Sequence, residues 1–173
     1  MKNLNSFSSI IGLLIMFLFF TTGFESKAQL KKMSDQDLTV ESTAVLHGKC
    51  SKVRSDWNET KDMIMTSVTL VPDEYMKGNL GGEVVVMVPG GRIGDIIYEV
   101  SEMPVFTEGE EVVAFVWRNP LGKNLITGGS QGRLKIQKDE LTGKKVVKKK
   151  DKDERDIDEP LENYVGKIKG YMK

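Results

Sequence analysis

Gly128-Gly129-Ser130-Gln131-Gly132 has the G-x-S-x-G spacing of a serine nucleophile. That chemistry needs a strained strand-to-helix turn to lift the hydroxyl, and a histidine base arriving later in the chain. Here Arg133-Leu134-Lys135-Ile136 follows and alternates as a strand does, and the single histidine, His47, precedes the motif. A glycine-rich turn is the expected role, with a hydrolase using Ser130 as the rival. Pro89-Gly90-Gly91-Arg92-Ile93-Gly94-Asp95 is the most distinctive loop. Its glycines permit close backbone approach, and Arg92 and Asp95 are placed to pair with each other or to touch a ligand. A phosphate cradle would need a helix N-terminus after the loop, and no helical pattern follows. Gly90, Gly91, Arg92, Asp95, Ser130 and Gln131 are therefore the candidate ligand-binding residues.

His47 and Cys50 are spaced as half of a metal site. Residues three apart on a strand point to opposite faces, and two ligands do not hold zinc. Asp56-Trp57-Asn58-Glu59 offers oxygens without the acid-and-glycine order of a calcium loop. Asn58-Glu59-Thr60 is formally a glycosylation acceptor. No catalytic carboxylate pair, activated nucleophile or metal cluster is legible. The expectation is a non-enzyme with no cofactor and no metal.

The elements that would position these residues are short strands. Ala44 to Val53 alternates, and Gly48 in its middle marks a bulge or sharp bend. Met63 to Val71 alternates again and makes a hairpin with it. Pro72 is expected to interrupt the ladder. Glu83 to Val88 is a β-branched strand, and Ile96 to Val100 is a short one. Val112 to Trp117 is the most hydrophobic run, with Trp117 expected in the core. Asn124 to Thr127 and Arg133 to Gln137 close the β region. Turn signals at every junction argue for an all-β fold, a small OB-like Greek-key barrel with a β-sandwich as the alternative.

Residues 1–28 read as a signal peptide. Lys2 supplies a charge, Ile10 to Phe20 is apolar apart from Gly12, and Ser26 and Ala28 put small residues before a cleavage point at Gln29. The run falls short of the roughly 20 residues a membrane span needs, so no stable membrane insertion is expected after cleavage. The only cysteine is the internal Cys50, so neither a terminal lipid anchor nor an intramolecular disulfide is expected. The expected destination is periplasmic or extracellular.

Taking away residues 1–28 leaves 23 basic and 24 acidic side chains, a balance with no footprint for nucleic acid. Residues 29–42 read as a lead-in segment or short helix, and 43–137 as the β-barrel domain. Residues 138–159 carry a lysine run followed by an acidic one and read as a solvated hairpin tip or linker. Over 160–173, Leu161, Tyr164, Val165, Ile168, Tyr171 and Met172 fall at the spacing of a short amphipathic helix packed on the barrel.

Gly48, Trp57, Thr66-x-Val68, Met76-Lys77-Gly78, Pro89-Gly90-Gly91, Pro104-Val105-Phe106, Gly109-Glu110-Glu111, Phe115 and the 128–132 turn recur in an order that resembles a set of secreted bacterial domains over residues 43–137. Those domains in turn are similar to the netrin-like, OB-type modules of metalloproteinase inhibitors. The resemblance implies the barrel. It does not carry the inhibitory mechanism, which needs a cysteine at the mature N-terminus where this chain has Gln29-Leu30. The function expected is an exported, non-catalytic binding module whose partner is an extracytoplasmic protein or other ligand. A structural envelope component is the alternative.

Overall fold

In the computed structural model, residues 30–150 and 155–172 are described, so the expected leader lies outside the described residues. The chain enters through α1 (Asp35–Glu41), started by a capping box. Asp37 donates its backbone N–H to Ser34 Oγ at 3.1 Å, and Ser34 returns its own to Asp37 Oδ2 at 3.0 Å. Two long strands follow, β1 (Ala44–Trp57) and β2 (Ile64–Lys77), then β3 (Val84–Pro89). A small separate hairpin, β4 (Gly91–Ile93) and β5 (Ile96–Tyr98), precedes β6 (Glu111–Arg118) and β7 (Asn124–Ile126).

These strands close on themselves. The order β1-β2-β3-β7-β6 returns to β1, because Ala44–Lys49 pairs with β6 on one side while β1 pairs along its length with β2 on the other. The β3–β7 contact is parallel, through Val86 with Asn124 and Met87 with Leu125. This is a closed five-stranded barrel in OB-type Greek-key order, and the sandwich is set aside.

Pro72 does not interrupt β2, contrary to expectation. It pairs opposite Gly48, and the missing N–H falls at a β-bulge where Asp73 is the extra residue. A Cβ on Gly48 would stand 2.3 Å from the Val71 carbonyl oxygen, so glycine is what lets β2 bend inward there.

Strand β6 explains its own hydrophobicity. Val112, Ala114 and Val116 point into the barrel with Leu46, Val68 and Val86. Val113 and Phe115 point the other way, into a second core with Val45, Met76, Tyr164 and Ile168. A strand buried on both faces loses the apolar-polar alternation and reads as a continuous apolar run. Trp117, expected in the core, lies on that outer face beyond the second core and is 42% exposed.

The second core is roofed by elements outside the barrel: β8 (Arg133–Lys138), β9 (Lys145–Lys150) and α2 (Leu161–Gly170), with β10 (Asp156–Pro160) pairing β9 at the sheet edge. The charged tract expected as a hairpin tip or linker therefore contains two antiparallel strands that extend the sheet past β8. Its alternation is hidden because the apolar anchors are few. Val147 enters the second core, while the half of β9 that looks solvated holds Lys149 against carboxylates. Helix α2 packs on the barrel as its spacing predicts, through Tyr164 and Ile168.

Candidate functional site

A cleft of about 740 Å³ opens at one end of the barrel. Its floor is the barrel's own interior face, Val53 and Ser55 of β1, Thr66 and Val68 of β2, and Val88 of β3. The β4–β5 hairpin forms one wall through Gly90–Arg92, Ile97 and Tyr98, and the loop from Glu99 to Phe106 forms the other. Barrel mouths of this volume are common ligand sites.

The glycines of the 89–95 loop approach closely, but what they approach is the barrel itself. A Cβ on Gly91 would stand 2.3 Å from Thr66 Oγ1 and 2.4 Å from Ser55 Oγ. Gly90, at φ +97°, would press on the Tyr98 carbonyl oxygen, and its N–H donates to Ile64 O at 2.8 Å. The floor's polar groups are consumed in the same way. Thr66 donates its hydroxyl to the Gly90 carbonyl at 2.6 Å, Ser55 bonds to Thr66 at 2.9 Å, and the Arg92 N–H donates to Ser55 Oγ at 3.3 Å. With Thr66 donating onward, this chain runs in one direction and leaves the floor with no hydroxyl hydrogen to offer a ligand.

Arg92 sits at the rim. Its Nε donates to Gly94 O at 2.8 Å, which bends the side chain back along its own hairpin and away from the pairing with Asp95 that the sequence allowed. Asp95 is exposed in the β4–β5 turn and does not line the cleft. Around it the rim is mixed: Ile97 is 59% exposed and Val105 is 78% exposed, and the exposed Glu99 and Ser101 also line the cleft.

Ser130 and Gln131 lie outside the cleft lining, so the two glycine-rich loops do not converge on one site. Residues Gly129–Gly132 form a 3-10 turn, entered through Gly128 in the left-handed region, rather than a nucleophile elbow. Ser130 is exposed, and its backbone N–H donates to Glu102 O at 2.7 Å. The Gln131 side chain accepts from Met33 N at 2.8 Å and donates to Lys31 O at 3.0 Å. Glu102, a non-glycine residue at φ +60°, also accepts from Leu30 N at 2.9 Å. The 128–132 turn thus buttresses the cleft wall from behind and ties the lead-in segment to it. Phe106 anchors the far end of that wall: it is buried in the barrel core beneath the Arg133 guanidinium, which Glu110 holds.

His47 and Cys50 are not brought together. Cys50 lies inside the barrel, where burial pushes its thiol up from the ordinary range and Glu110 adds to the effect. His47 points outward, and its Nε2 is 2.5 Å from Glu111 Oε1 and 3.8 Å from Asp73 Oδ2. Burial alone would raise the Glu111 carboxyl, but Lys145 and His47 beside it outweigh that and hold it below the ordinary range. Asp73 and Glu111 escaped the sequence reading because they lie 26 and 64 residues from His47 and meet it only when the barrel closes.

Compared with known proteins, the chain matches no family model and has no significant match to a curated protein. The chemistry of the cleft carries the functional reading.

Proposed function

We propose that this protein is an exported, non-catalytic binding module that takes a small apolar ligand, or an apolar side chain of a partner, into the barrel-mouth cleft. The observation that carries this is the cleft itself. It has ligand-sized volume and a largely apolar floor, and the two hydroxyls in that floor are already spent, Ser55 on Thr66 and Thr66 on the Gly90 carbonyl. Such a surface rewards apolar contact and penalises a ligand that brings unpaired polar groups. The Arg92 guanidinium at the rim supplies a donor for one acceptor group at the ligand's outer end.

The non-catalytic reading is supported by Ser130, which sits on an outer turn while His47 is engaged with Glu111. Export is supported by the leader pattern of residues 1–28.

The probe is 8-anilinonaphthalene-1-sulfonate, which has an apolar ring body and an anionic end. Titrated into the native protein, it should show saturable, blue-shifted fluorescence. Ile97→Asp and Val105→Asp, both at exposed rim positions, should weaken it about tenfold, and Arg92→Ala by less. Absence of saturable binding, or binding unmoved by both rim variants, would overturn the proposal.

A further inference from the structure

On the outer wall of the barrel, away from every residue that lines the cleft, one imidazole and two carboxylates converge. We propose that His47, Asp73 and Glu111 form a binding site for a divalent transition cation, with zinc as the fitting ion.

The three ligand atoms lie within 4.8 Å of one another and come from three different strands. Those strands are locked in register, since His47 pairs with Glu74 of β2 on one side and Val113 of β6 on the other. The bulge opposite Gly48 supplies the third ligand, inserting Asp73 beside His47. Bulges commonly re-aim a side chain in this way. A donor set of one nitrogen and two oxygens suits zinc better than calcium or magnesium, which prefer oxygen alone. His47 is almost fully buried, whereas the Asp73 side chain is 49% exposed, so the site is walled on one side and open to water on the other.

Two carboxylates gathered around one imidazole concentrate acceptor oxygens that a cation can share. Lys145 supplies one positive charge, with Nζ 2.6 Å from Glu111 Oε1. Its side chain is 41% exposed at the start of β9, so it can withdraw into solvent when a doubly charged ion arrives. Lysine and metal would therefore compete for the same carboxylate oxygen.

The test is calorimetric titration of zinc chloride into tag-free protein, repeated with cobalt(II) to read the ligand field from its visible spectrum. One ion should bind per chain. His47→Gln, Glu111→Gln and Asp73→Asn should each weaken binding at least about tenfold. Lys145→Gln should strengthen it several-fold, because the competing ammonium is gone. Asp73→Asn removes a half-exposed group and keeps the test valid if the buried His47 variant fails to fold. No zinc binding by the wild type, or one affinity shared by Asp73→Asn, His47→Gln and Lys145→Gln, would overturn the proposal.

Discussion

Lys167 of α2 places its ammonium 2.7 Å from Asp35 Oδ2 of α1, joining the two ends of the described chain over the second core. Lys149 of β9 donates to the same oxygen at 3.0 Å, Tyr164 donates its hydroxyl to Oδ1 at 3.1 Å, and Glu159 neutralises both lysines from the other side. Burial alone would raise the Asp35 carboxyl, but Lys167 and Lys149 outweigh it and hold the group below its ordinary 3.8. A carboxylate with a depressed folded pKa contributes stability that is present above its unfolded value and is lost as pH falls through the folded one.

Asp35→Asn should therefore cost about 2 kcal/mol at neutral pH, the usual loss for charged hydrogen bonds, and the difference from wild type should shrink as pH falls below the ordinary carboxylate range and the wild-type group protonates. Urea denaturation followed across pH checks both the size and the convergence.

Gly48→Ala should cost about 2–3 kcal/mol, because its Cβ meets the Val71 carbonyl oxygen at 2.3 Å and the bulge must open. Gly94→Ala is the comparison: Gly94 sits at φ +58°, unlike Gly48, but its Cβ meets nothing within 4 Å, so the change should cost only about 1 kcal/mol, from backbone conformation alone. Denaturation midpoints with unchanged slopes measure the contrast.

Much of the barrel was legible because its strands obey simple rules. Gly48 marked the bulge, the period-2 runs marked β1 and β2, a β-branched run marked β3, and helical spacing with Tyr164 and Ile168 inward marked α2. What stayed hidden depended on contacts between distant segments. Lys149 looked like part of a solvated run until Asp35, 114 residues away, was placed beside it. Trp117 continued an apolar run but overran the elements that roof its face. The 89–95 loop was picked for its glycines, and it does line the cleft. Their reason for being glycine is Ser55 and Thr66 underneath, which no local pattern announces.

Gln131→Ala removes the side-chain bonds to Met33 and Lys31 and should cost about 1–2 kcal/mol locally. Hydrogen exchange at the Met33 amide should accelerate by about tenfold while the barrel amides of β1 and β6 stay protected. Ser130→Ala should leave both unchanged, since only its backbone N–H is used in holding Glu102.

Cys50 should resist alkylation. Its thiol is buried and its pKa is raised above the ordinary 9.0, so the thiolate fraction near pH 8 falls below that of a free cysteine. Iodoacetamide labelling followed by mass spectrometry should proceed at least about tenfold faster in denaturant than in the native protein.

The most direct measurement of the proposed binding is methyl NMR of the valine- and isoleucine-labelled protein during titration with 8-anilinonaphthalene-1-sulfonate. Val53, Val68, Val88 and Ile97 line the barrel-mouth cleft, whereas Ile126 lines a separate shallow depression beside Trp117. The account predicts saturable shifts in the methyl groups of the first four residues and none at Ile126. Shifts confined to Ile126, or spread evenly over the surface with no saturation, would contradict it.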